Sequence, residues 1–114
     1  MTLAPYRERS YAYCSDTRPN EKNLPLLKGV DLLFHETTFE HGDLALAQKT
    51  FHSTSVEAAD LALKAGAGQL LIGHFSPRYK NISVLEEQAK RVFPDTVAVN
   101  DGDVFQVAQV RSTD

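Results

Sequence analysis

Gln69-Leu70-Leu71-Ile72-Gly73-His74-Phe75-Ser76-Pro77-Arg78-Tyr79 is the stretch on which the reading of this chain turns. Gln69 to Ile72 are apolar or nearly so, and Gly68 and Gly73 bound them. A short apolar run between glycines reads as a buried strand of a layered α/β domain. The strand ends at Gly73, so His74 falls at its carboxyl end, where open α/β sheets bind their ligands. Arg78 follows four residues later. A metal-capable imidazole is thereby set beside a guanidinium that can grip phosphate with two parallel hydrogen bonds. A structural histidine fits the same pattern, and this stretch alone does not choose between the two.

Working outward, the preceding segment is a helix. Thr54 and Glu57 have the spacing of a capping box. Val56, Ala59, Leu63 and Gly66 then recur at near-helical intervals, and Ala58, Leu61, Ala62 and Ala65 broaden the apolar face. His52 lies just upstream of this helix start, whose positive dipole end attracts anions; packing beneath the cap is the alternative. Downstream, Ser83 and Glu86 predict a second capping box, with Leu85, Ala89 and Val92 as the apolar stripe and Pro94 as the stop. Thr96–Val99 reads as a strand, Asn100–Asp103 as an Asp-Gly hairpin turn, and Val104–Val107 as its antiparallel return.

Toward the amino terminus, Ser10–Ser15 carries aromatic residues at period two and predicts a strand that stops at Asp16. A carboxylate there is either functional or a turn-initiating Asp. A polar turn runs from Arg18 to Asn23, and Pro25–Lys28 predicts one helical turn stopped by Gly29. Val30–Phe34 predicts the second strand, which delivers His35-Glu36-Thr37-Thr38-Phe39 at its end. A zincin would need a second His four residues after His35, but that position is Phe39. Residues 40–49 read as a partial helix or a loop, with His41 as a solvated side chain.

Composition limits the possible classes. At 114 residues the chain makes at most one small domain. With 42% hydrophobic and 24% charged residues it is neither disordered nor fibrous. No window approaches the roughly 18 apolar residues of a membrane span, and Met1–Arg9 lacks the apolar region of a signal peptide. The single cysteine, Cys14, fits a reducing cytoplasm. A net charge of −3 gives no bulk electrostatic case for nucleic acid, so any RNA contact must be local.

The chemistry-bearing residues converge. Asp16, Glu36 and His74 stand at three strand ends, and His52 at a helix start. Carboxylates with neutral imidazoles suit zinc, and a bridging Asp suits a two-metal hydrolase. Asp16 and His74 alone are too few ligands for tight binding.

The segments Tyr13-Cys14-Ser15-Asp16-Thr17, His35-Glu36-Thr37-Thr38-Phe39, His52-Ser53-Thr54 and Gly73-His74-Phe75-Ser76-Pro77-Arg78-Tyr79 closely resemble the C-terminal part of ribonuclease Z. That family comprises the tRNA 3′-processing endonucleases of the metallo-β-lactamase fold. The resemblance implies an α/β chain forming the C-terminal ββα half of a four-layer αββα sandwich, with a mixed sheet and helices on one face. It implies a hydrolase that removes the 3′ trailer from precursor tRNA with two zinc ions. Asp16 then matches the bridging carboxylate and His74 a terminal zinc ligand. Glu36 and His52 match a pair serving proton transfer to the leaving oxygen. Ser76, Arg78 and Tyr79 match a loop that touches phosphate or RNA. Thr37 stands where the family more often has Ala, and Pro77 where it more often has Ser; neither change removes a needed chemical group. The family's HxHxDH motif, third-motif His and RNA-gripping arm belong upstream and have no counterpart here. The expectation is therefore that the chain alone is inactive and binds zinc weakly or not at all. A sheet with helices on one side only would leave an apolar face, and a homodimer through it is expected. Two other readings are a non-catalytic, self-associating remnant and another phosphodiesterase of the same fold.

Overall fold

Four short runs of strand-forming residues line up in a single sheet: β1 (Tyr11–Cys14), β2 (Leu32–Glu36), β3 (Gln69–Gly73) and β4 (Thr96–Ala98). The computed structural model describes residues 9–14 and 18–99. Asp16 and the Asn100–Val107 hairpin expected from the sequence lie outside the described residues. The strands stand in chain order, and each described pairing is parallel. Such strands need helical crossovers, and right-handed crossovers between strands in sequential order deliver their helices to one face. The connections supply α1 (Leu24–Leu27), α2 (Leu44–Thr50), α3 (Ser55–Ala65) and α4 (Ser83–Val92).

Alternation along the strands divides the core. Leu33, Leu70 and Ile72 pack with Leu27, Ala58, Leu61, Ala62 and Ala89, which come from three of the helices. Leu32 and Leu71 point the other way and cluster with Val99, Phe34 and Val97. Among the described residues no helix joins that second cluster. The expected α/β layer with helices on one face is thus present.

Local departures have local causes. The capping box at Thr54 and Glu57 forms as expected, with Gly66 closing α3 at φ 66°. The buried face of α3 is centred on Ala58, Leu61, Ala62 and Ala65, whereas Leu63 is 54% exposed. Small side chains on that face admit close approach of the sheet and α4. The second capping box does not form. Ile82, not Ser83, holds the cap position of α4. The Ser83 amide donates to Asn81 Oδ1 at 2.9 Å, and Glu86 instead accepts from the Ala98 amide at 2.7 Å. Residues 41–50 are a 3-10 turn running into α2, not a loop. Among the described glycines the tightest approach to backbone is at Gly68, where a Cβ would come within 2.7 Å of the Asp31 carbonyl. Any side chain there would push β3 away from the strand entry beside it.

Candidate functional site

β2 runs two residues further than its apolar pattern suggests, so His35 and Glu36 are strand residues, both wholly buried. By alternation they face opposite sides of the sheet. The imidazole of His35 lies on the helix side, where its Nδ1–H donates to the Glu36 carbonyl at 2.7 Å and Nε2 has no hydrogen-bond partner. Burial pushes its pKa down, so it is held neutral.

The Glu36 carboxylate is buried but well supplied with donors. Its Oε2 accepts from the Thr38 amide at 2.9 Å and the Thr38 hydroxyl at 2.6 Å. Its Oε1 accepts from the Ser53 amide at 2.8 Å and faces His52 Nδ1 at 3.2 Å. Two amides and a hydroxyl satisfy the charge that burial would otherwise penalise. An ionised carboxylate can only accept, so the His52 proton facing it sits on Nδ1 and leaves Nε2 as the exchangeable position. His52 is half-buried, with its ring 6.2 Å from Phe39 and 6.3 Å from His74.

His74 directly follows β3 and is exposed, with its backbone at φ 60°. A non-glycine residue in the left-handed region is strained, and such strain clusters at functional positions. Thr37 N–H donates to the Gly73 carbonyl at 2.8 Å and Ser76 N–H to the Thr38 carbonyl at 2.9 Å. These bonds lash the loop after β3 to the loop after β2. A shallow pocket of about 260 Å3 opens beside His74, lined in part by Phe75, Ser76, Pro77 and Tyr79.

The 76–79 loop is tied down more firmly than its sequence suggests. Tyr79 donates its hydroxyl proton to Asp43 and accepts from the Glu40 amide at 3.0 Å. Burial pushes the Tyr79 phenol up, and the bond to Asp43 adds to this. Arg78 pairs with Asp43 at 3.4 Å and lies 5.8 Å from the centre of the Phe39 ring. Its side chain is nevertheless 49% exposed, so the guanidinium remains within reach of an anion. Ser76 Oγ accepts from the Arg78 amide at 3.4 Å.

The structure therefore brings Glu36, His52 and His74 together and sets Ser76, Arg78 and Tyr79 on the adjoining loop. Asp16 falls outside the described residues. His41, read as solvated, instead bonds Thr54 Oγ1 through Nδ1 at 3.0 Å, and its amide donates to Gln88 at 3.0 Å. Sequence reasoning missed Thr38 and Asp43 as partners of the site. Thr38 was legible, since a hydroxyl two residues past a buried Glu can fold back on it. Asp43 gave no such signal. Among the described residues, no three His, Cys, Asp or Glu side chains gather closely enough to hold a metal. Catalytic zinc takes three protein ligands. The described donors by themselves do not fit a zinc site.

A scan of family models gives no match. Curated proteins match strongly. A ribonuclease Z of Porphyromonas gingivalis is 54% identical over 93 residues, covering 82% of this chain and 31% of the relative. That of Bacteroides fragilis is 50% identical over 89 residues, covering 78% and 29%. The family this chain matches is ribonuclease Z. The chain spans about a third of the length of these ribonuclease Z relatives. Solved structures agree on the fold. The metallo-β-lactamase-fold protein YhfI of Bacillus subtilis superposes with TM-score 0.72 at 28% identity, over 80% of this chain and 37% of that one. Human tRNase Z, short form, superposes with TM-score 0.62 at 26% identity, over 83% and 31%. The described elements thus make up part of a metallo-β-lactamase fold. Among the described residues no helix is long and apolar enough to cross a membrane.

Proposed function

We propose that this chain is the C-terminal part of a zinc-dependent ribonuclease Z that hydrolyses precursor tRNA at the 3′ trailer in the cytoplasm. The observation that carries the reading is the Glu36–His52 pair, fixed at 3.2 Å beside His74 at the carboxyl ends of parallel strands. Phosphodiester hydrolysis breaks the P–O3′ bond, and the departing oxygen needs a proton. Glu36 holds His52 through Nδ1, and His52, as imidazolium, gives that proton from Nε2. Arg78, with Ser76 and Tyr79, grips a phosphate of the RNA. Asp16 and His74 would be two of the ligands of two zinc ions, which when bound would supply the activated water that attacks phosphorus. Alone, the chain is inactive and binds zinc weakly or not at all.

Cleavage of a precursor tRNA by the complete enzyme, measured together with its zinc content, tests the assignment. His52→Ala is expected to slow cleavage about 100-fold or more with zinc retained. Loss of zinc from that variant would show that His52 is a ligand instead. His74→Ala is expected to lose both metal and activity, and normal turnover would exclude it as a ligand.

A second reading rests on the other face of the sheet. Tyr11 is 59% and Tyr13 71% exposed, and Tyr13 stacks on Phe34 at 4.5 Å. Large aromatics left in water favour self-association as a two-fold dimer. Light scattering at micromolar concentration should return twice the chain mass, and a cooperative monomer would exclude the dimer.

A further inference from the structure

Arg18 has been given no catalytic or binding role, yet it reaches the His52 segment through both a backbone carbonyl and the Glu57 carboxylate. Its guanidinium donates to both oxygens of Glu57, at 2.6 and 2.5 Å, and to the His52 carbonyl at 2.9 Å. Glu57 is the capping-box residue of α3, and the oxygen that takes the 2.6 Å bond also accepts from the Thr54 amide at 3.1 Å. One guanidinium and one carboxylate therefore close on the carbonyl of residue 52 and the amide of residue 54. Ser53 is held between them. Its amide donates to Glu36 Oε1, the same oxygen that faces the His52 ring.

We infer that Arg18 is a positioning residue whose Glu57-braced fork fixes the His52–Thr54 segment and so sets the His52 ring against Glu36. The chemistry favours this over a surface ion pair. The pair is partly buried, with side chains 28% and 17% exposed. It is also bidentate, the geometry in which arginine is least replaceable by lysine. Neighbouring bonds converge on the same short segment, since Phe39 N–H donates to the Ser53 carbonyl and His52 N–H to the Ala47 carbonyl. Arg18 adds a hold on the same segment from 34 residues away in sequence. The significance of the clamp rests on the proton-transfer reading of His52, but its existence does not.

The test uses the 15N-labelled 114-residue chain without RNA or metal. In Arg18→Ala, amide exchange at Ser53 is expected to quicken about ten-fold, the loss of roughly one charge-assisted hydrogen bond. The ring nitrogen signals of His52 should move toward those of a solvated imidazole, while those of His35 stay in place. Exchange at Leu70 and Leu71 in β3 should be unchanged, which separates positioning from general destabilisation. Arg18→Lys should restore the charge without restoring Ser53 protection, and Glu57→Gln should reproduce the His52 ring shift in part. An unmoved His52 ring in Arg18→Ala overturns the inference, as does equal acceleration at Ser53 and in β3. If the clamp behaves as described while the complete enzyme fails to cleave precursor tRNA, the nuclease reading fails and the clamp stands.

Discussion

On one face of the sheet Leu33, Leu70 and Ile72 are sealed beneath the alanines of α3 and α4, while on the other Phe34 packs with Leu71 and stacks on Tyr13, which is 71% exposed. The same strands serve both faces, in one register. The helix side is the dense, small-residue packing of an interior. The other side has large aromatics with water against them. The contrast teaches that the larger share of the buried apolar core lies on the helix side, with a smaller cluster of Leu32, Leu71 and Val99 on the other. Glu36, His52 and His74 gather at the strand ends, where the two faces meet.

The largest effect should come from the sealed face. Leu33→Ala is expected to cost about 2–5 kcal/mol, read as a lowered denaturation midpoint with unchanged slope. Phe34→Ala, one residue along on the open face, should cost clearly less. Equal costs would mean the two faces are equally enclosed and would end the comparison.

Next is the strand end. Glu36→Gln keeps the size of the side chain but removes the charge that the Thr38 and Ser53 donors hold. About 1–3 kcal/mol of stability should be lost. A neutral result would show that these donors find other partners.

His35 sharpens the contrast through pH. Burial lowers its pKa in the folded chain, so the unfolded chain takes up the proton first. The stability its neutral form supports is fully present above the unfolded value of about 6.5. It is lost progressively as pH falls from there through the folded value, at up to about 1.4 kcal/mol per pH unit. Denaturation midpoints between pH 7.5 and 5 check this as an expected slope (a window set from the unfolded value of about 6.5). His35→Gln should flatten that slope even if it lowers the whole curve, and an identical slope would place the acid sensitivity elsewhere.

The smallest effect should be Tyr13→Ala, which removes the stack on Phe34. About 0.5–1.5 kcal/mol is expected. If stability falls instead by as much as in Leu33→Ala, Tyr13 is part of a closed core.

Much of this was written in local sequence. The apolar Gln69–Ile72 run, the Thr54–Glu57 capping box and the glycine after α3 each act within a few residues, and each appears where its spacing put it. Placing His74, Glu36 and His52 at one end of the sheet followed from strand direction alone, because parallel strands present their carboxyl ends together. The second capping box shows the limit of that logic. Ser83 and Glu86 have the spacing, but β4 offers Glu86 the Ala98 amide, and the tertiary partner wins.

What the sequence by itself determined, among the described residues, is the four strands and the two longer helices, their order, and the end of the sheet at which Glu36, His52 and His74 gather. Only the tertiary structure decided which side chains hold that chemistry in place. Arg18 finds Glu57 across 39 residues, Tyr79 finds Asp43 across 36, and the His41 amide finds Gln88 across 47. A capping box or an apolar period is legible because its energy depends on the next turn of chain. An ion pair between distant loops depends on where the sheet has already carried them, and no local spacing encodes it.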